Sequence, residues 1–205
     1  MESHTDSGRF VCVTPAGSYH AVELRQHTEH RQLLHSILGS RQSPALADYK
    51  GGSREILLDL HKAGFITFKG SRVELPDGNL LQLLPRILPS LSESGRAVLT
   101  ESGQGLYLDY VGVSELEAQE LAVMAAALST LADARGSVMS EQLAIKSRAF
   151  GIVDPAGNSE IGFWPLHIAD QVFTLIVMGI PRFNTVPFCV LIWALIERYG
   201  DVHPV

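Results

Sequence analysis

The sequence is short of most things that announce a chemistry. It has two cysteines in 205 residues, Cys12 and Cys189, too few for the multi-bridge framework of a small secreted fold. Both stand in apolar runs, "FVCV" and "PFCVLIW", where cysteine acts as a small hydrophobe. No apolar run is long enough to cross a bilayer, because Arg182 and Asn184 separate "VFTLIVMGI" from "VPFCVLIWALI". The opening "MESHTDSGR" lacks the apolar core of a signal peptide. These absences lead to the expectation of a soluble, cytoplasmic chain without membrane insertion. No G-x-x-x-x-G-K-[ST] phosphate loop occurs, and no G-x-G-x-x-G opens a helix after a strand. The nucleophile-elbow pattern G-x-S-x-G is also missing. The chain is therefore expected to be neither a nucleotide hydrolase nor a serine hydrolase, and no cofactor is expected.

Basic charge is scarce too. The net charge is −6, and it is unevenly placed. Residues 1–77 carry nine Lys+Arg against nine Asp+Glu, whereas residues 78–205 carry seven against thirteen. Neither half resembles a surface built for phosphate backbones. What the chain does have is apolar material. Hydrophobic residues make up 46% and charged residues 19%, enough to pack a core in one large domain or two small ones.

In the first part, "RFVCVTPAGSYHAVELR" reads as two short strands around a Pro15–Ser18 turn. "HRQLLHSILGS" is a helix with Leu33, Leu34, Ile37 and Leu38 on one face and Gly39 as its stop. "SPALADYKGG" is a candidate second helix. In "SREILLDLHKAG", Ser53 can cap a third, and "FITF" with "SRVEL" reads as a hairpin through Lys69-Gly70. Three helices and a hairpin make a winged-helix-like α/β module over residues 1–77. Arg54, Lys62, Lys69 and Arg72 are its candidate nucleic-acid contacts, but Glu55, Asp59 and Glu74 accompany them, which favours a protein-binding module over a DNA reader.

"LPDGN" marks the boundary, and residues 78–205 form the second domain. "LLQLLPRILPSLSES" has a helical pattern that Pro85 and Pro89 must kink or split. "RAVLT" and "GLYLDYVG" are strands joined through Ser102–Gln104. Ser114 then opens a long helix with the capping box "SELE". "SRAFGIVDP", "EIGFWPLHI" and "QVFTLIVMGI" are three further strands, and "VPFCVLIWALIERYG" is a last helix.

The order helix, two strands, long helix, three strands, helix, carried by "AVLTESGQGLYLDYVG", "SELEAQELAVMAAAL" and "VFTLIVMG", resembles the roadblock (dynein light chain) family. The resemblance implies an α+β, profilin-like five-stranded antiparallel sheet with helices on both faces. It also implies a non-enzymatic homodimer with a sheet continuous across two chains and paired long helices, whose partner is a Ras-like small GTPase or another regulatory protein. The leading expectation is a dimeric cytoplasmic adaptor. A transcription regulator that uses the first module on DNA is the alternative.

Other chemistry is thin. His27, His30 and His35 fall within nine residues, but no cysteine or carboxylate completes a familiar metal spacing. Asp109, a carboxylate inside an apolar strand, has no partner base close in sequence. The long helix is more informative. At about 100° per residue, Leu121, Met124, Leu128, Leu131 and Ala132 gather on one side, expected to lie on the sheet. The other side holds Gln119, Ala122, Val123, Ala126, Thr130 and Asp133, and no charge lies between Glu120 and Asp133. An exposed helix face normally carries Lys, Glu and Arg. A side so small and uncharged suits close packing against a second helix, and the roadblock resemblance implies that this helix is its twin, so Gln119, Ala122, Val123, Ala126 and Thr130 are the candidate dimer interface.

Overall fold

A computed structural model describes residues 8–24, 28–101, 103–142 and 149–200. The chain divides into two compact units, residues 1–80 with 184–205, and residues 81–183.

The first unit opens with β1 (Phe10–Val13) and runs directly into α1 (Pro15–Val22). Here "TPAGS" is a helix start and not a turn between two strands. Thr14 is the N-cap and accepts from the Gly17 N–H at 3.1 Å, and Pro15 occupies the first helical position, where its missing N–H costs nothing. α2 (Glu29–Leu38) follows, with Leu34, Ile37 and Leu38 buried and Gly39 after its last residue. The expected second helix is a single 3-10 turn, Leu46–Asp48. α3 (Gly52–Lys62) starts one residue before the expected cap, with Gly51 at the N-cap. β2 (Ile66–Lys69) does not form a hairpin with residues 71–75. It pairs antiparallel with β1, from Phe10↔Lys69 to Val13↔Ile66. The expected wing strand contributes only an isolated Gln42↔Glu74 bridge.

α6 (Val186–Tyr199) belongs to this unit, although the sequence reading placed it with the sheet. It packs against α1 and α2. Phe188 meets Tyr19 with ring centroids 6.4 Å apart, the Trp193 indole N–H donates to the Ser40 carbonyl, and Arg41 pairs with Glu197 at 3.0 Å.

The second unit is a sheet with one long crossover. α4 (Leu80–Ile87) takes in Pro85 near its end, and Pro89 then opens a 3-10 turn, Leu88–Leu91. β3 (Ala97–Glu101) and β4 (Leu106–Val111) form a hairpin, α5 (Glu115–Ser137) follows, and β5 (Phe150–Val153), β6 (Ser159–Ile168) and β7 (Gln171–Met178) meander back. The strand order is β4-β3-β7-β6-β5, with every neighbour antiparallel. The five-stranded antiparallel sheet expected from the element order is thus present. β4 and β5 are its two edges, so α5 must carry the chain from one edge to the other. Four strand spacings are about 19 Å, and 23 residues of helix span about 34 Å, which is why this connection is long.

Alternation along the strands divides the core. Val98, Phe163, Ile176 and Met178 pack under α5 together with Ala118 and Ala125. Leu99, Leu166, Phe173, Leu175 and Val177, on the other parity, are fully buried as well. No helix among the described residues is long and apolar enough to cross a membrane.

Candidate functional site

α5 is fixed at its start by the capping box. The Glu117 N–H donates to the Ser114 hydroxyl at 3.3 Å, and the Ser114 N–H donates to the Glu117 carboxylate at 2.7 Å. That backbone donor, with the Ser114 hydroxyl, holds the Glu117 carboxyl below its usual range. The Tyr107 hydroxyl, on β4, donates to Glu115 at 2.8 Å, which raises the phenol's pKa. The helix is therefore tied both to its own first turn and to the edge strand before it.

The helix presents a different side to the sheet from the one expected. Ala118, Ala122, Ala125 and Ala132 are buried, at the i, i+4, i+7 and i+14 spacing of one face. Leu121 and Leu128 sit half-buried on the flank of this alanine stripe. Met124 and Leu131, expected against the sheet, are 43% and 51% exposed. The physical reason is volume. Tyr107, Tyr110, Phe150 and Phe163 already fill the layer between helix and strands, and only methyl-sized residues let the helix backbone sit down over them.

The candidate interface residues separate accordingly. Gln119, Val123 and Thr130 are exposed, and Val123 is 54% accessible. Thr130 turns its hydroxyl back to the Ala126 carbonyl at 3.0 Å, so it offers mainly its methyl group outward. Ala126 is half-buried near Gly105 of the β3–β4 turn. Ala122 is corrected: it is 0% exposed and lies in the helix's inward face. The outward ridge is Leu116, Glu120, Val123, Ala127, Leu131 and Ala134, all exposed. Leu116, Ala127, Leu131 and Ala134 were missed because bulk was taken as the mark of the buried side. The charge gap from 121 to 132 was the signal that pointed outward.

Two of the basic candidates make side-chain contacts of their own. Lys62 pairs with Asp59 at 3.2 Å, and Arg72 donates to the Gln42 side chain at 2.9 Å and lies over the Phe10 ring. Arg54 is half-buried on α3, and Lys69 ends β2. His27 lies outside the described residues. His35 is within 2.8 Å of the Ala21 carbonyl, and among the described residues no three metal-ligating side chains converge. Asp109 accepts from its neighbour's N–H, Tyr110, at 2.9 Å, a local contact. Cys12 and Cys189 are both free thiols, and burial pushes the Cys189 thiol up.

No protein-family model matches the sequence, and no curated protein matches it. One solved structure is similar to it. This is the Roadblock/LC7 domain from Streptomyces avermitilis, with a TM-score of 0.40 at 13% sequence identity, covering 59% of this chain and 96% of that one.

On β5, Gly151, Ile152 and Val153 are exposed, and one side of the strand has no neighbouring strand among the described residues. An apolar, unpaired edge is a template for another strand. One unit thus carries an uncharged helix ridge and an open strand edge.

Proposed function

We propose that this chain is a non-enzymatic cytoplasmic adaptor of roadblock-like architecture that works as a homodimer and engages a Ras-like small GTPase or a comparable regulatory protein. The observation that carries the reading is the outer face of α5, where Leu116, Val123 and Leu131 are exposed at 69%, 54% and 51% with no charge between Glu120 and Asp133. Each such side chain gains roughly 1.5–3 kcal/mol on full burial, so a second helix laid along the ridge offsets much of the cost of association. The second copy is the preferred occupant because the ridge is apolar throughout its middle turns and so complements itself without a charged counterpart. The β5 edge offers a two-fold strand pairing in the same unit. The resemblance in element order suggests the GTPase, and the missing phosphate loop argues that the nucleotide belongs to the partner. The DNA-reading alternative is the weaker one, since Asp59 offsets the Lys62 charge and the chain as a whole carries a net charge of −6.

The test is binding of the full chain to Ras-like GTPases of the same organism, loaded with GDP or with a non-hydrolysable GTP analogue. At least one GTPase should bind with an affinity that differs between the two nucleotide states. Equal binding to both states, or binding to none of them, contradicts the GTPase part of the reading.

A further inference from the structure

The unit formed by residues 1–80 and 184–205 contains a cavity of about 180 Å³ that the adaptor reading does not use. Its walls are apolar. β1 supplies Val13, α2 supplies Ile37, and α6 supplies Cys189, Val190 and Trp193 from one face at i, i+1 and i+4. The space exceeds the roughly 150 Å³ that admits a benzene ring, and a wall of this kind holds water poorly.

Three polar groups interrupt the wall. Ser43 is 4% exposed; its hydroxyl accepts from the Val73 N–H at 2.8 Å and keeps its own hydrogen to donate. Lys69 has no ion-pair partner among the described residues, and its ammonium is near enough to act on the Cys189 thiol across the same cavity. Glu74 stands exposed on the rim. The indole N–H of Trp193 is already given to the Ser40 carbonyl, so it adds no further donor. A buried hydroxyl donor and an unpaired cation at the mouth of an apolar cavity are the complement of one carboxylate on an apolar body.

We propose that this cavity binds a small monocarboxylate with a hydrophobic body the size of a single ring or a short alkyl chain. The carboxylate takes the Lys69 ammonium and the Ser43 hydroxyl, and the body lies against Val190 and Trp193. Glu74 opposes the bound anion and so tunes affinity downward.

The full chain carrying Trp164→Phe retains Trp193 as its sole tryptophan, and Trp193 fluorescence then reports the cavity. Titration with hexanoate and with benzoate should give a saturable change, with Kd of about 1 mM or tighter for at least one of them. Hexylamine and hexanol should bind roughly 10-fold more weakly or not at all. Lys69→Gln should weaken the carboxylate by roughly 5-fold, Glu74→Gln should tighten it, and Val190→Phe should fill the space and abolish the response. Opposite effects of the Lys69 and Glu74 variants cannot arise from a general loss of folding. A response that stays linear to ~10 mM in a protein with an intact far-ultraviolet spectrum would overturn the proposal. So would equal binding of hexylamine, or weakening by Glu74→Gln as well as by Lys69→Gln, the mark of a zwitterion. None of these outcomes depends on dimerisation or on a GTPase.

Discussion

Gly17 lies in α1 where any side chain would collide with the Phe65 carbonyl oxygen. That carbonyl also accepts from the Thr14 N–H at 3.0 Å, so the start of α1 and the start of β2 are held together by backbone. Gly17→Ala should destabilise the chain by about 2 kcal/mol, read as a lower denaturant midpoint; an unchanged midpoint would mean the two segments are free to separate. Ser114→Ala should cost about 1 kcal/mol by removing the N-cap of α5. The same cap has a pH signature. Glu117 is held below the usual 4.5 in the folded chain by the Ser114 backbone and hydroxyl, so its contribution is present above that value. It is lost as pH falls through the lower folded pKa. In Glu117→Gln the acid-side decline of stability should be shallower, and an identical decline would show that this carboxylate does not contribute to it. The cap was legible because S-x-x-E satisfies two orphan donors within four residues, a purely local arrangement. "TPAGS" was not, since Pro and Gly serve a turn and a helix start equally well, and only the distant Phe65 explains why Gly17 is there.

Among the elements, α5 contains both the success and the error of sequence reasoning. Its start, its length and its missing charge follow from pattern. Its rotation does not, because which side goes down depends on how much room Tyr107, Tyr110 and Phe163 leave beneath it. Two substitutions nine residues apart, about two and a half turns, separate the sides. Ala122→Arg places a long cation in a fully buried position and should leave the chain insoluble or unfolded. Leu131→Glu, on the exposed ridge, should abolish self-association while the chain stays folded, its far-ultraviolet spectrum unchanged and its midpoint lowered only by the lost association. If Leu131→Glu unfolds the protein instead, the ridge is part of the chain's own core. β2 makes the same point in another element. A Lys69-Gly70 turn suggested the nearest partner in sequence, whereas pairing with β1, more than fifty residues earlier in chain order, is a tertiary choice that no local signal records.

For the whole molecule, the two-unit division was only half legible. The "LPDGN" boundary lies within a few residues of the observed division at Leu80, because a Pro-Asp-Gly turn interrupts both helical and strand periodicity. The return of α6 to the first unit was hidden, since an apolar helix matches any apolar surface equally well. What remains most distinctive is that the second unit leaves a helix ridge and a strand edge uncovered, and a chain with net charge −6 spends almost none of that charge on them. The central claim is that a second copy covers this ridge. Sedimentation equilibrium of the full chain at tens of micromolar tests it most directly. The account predicts twice the chain mass for wild type and the single-chain mass for Leu131→Glu with an unchanged far-ultraviolet spectrum. A wild-type chain that sediments as a monomer throughout that range, or a Leu131→Glu chain that remains a dimer, would contradict it.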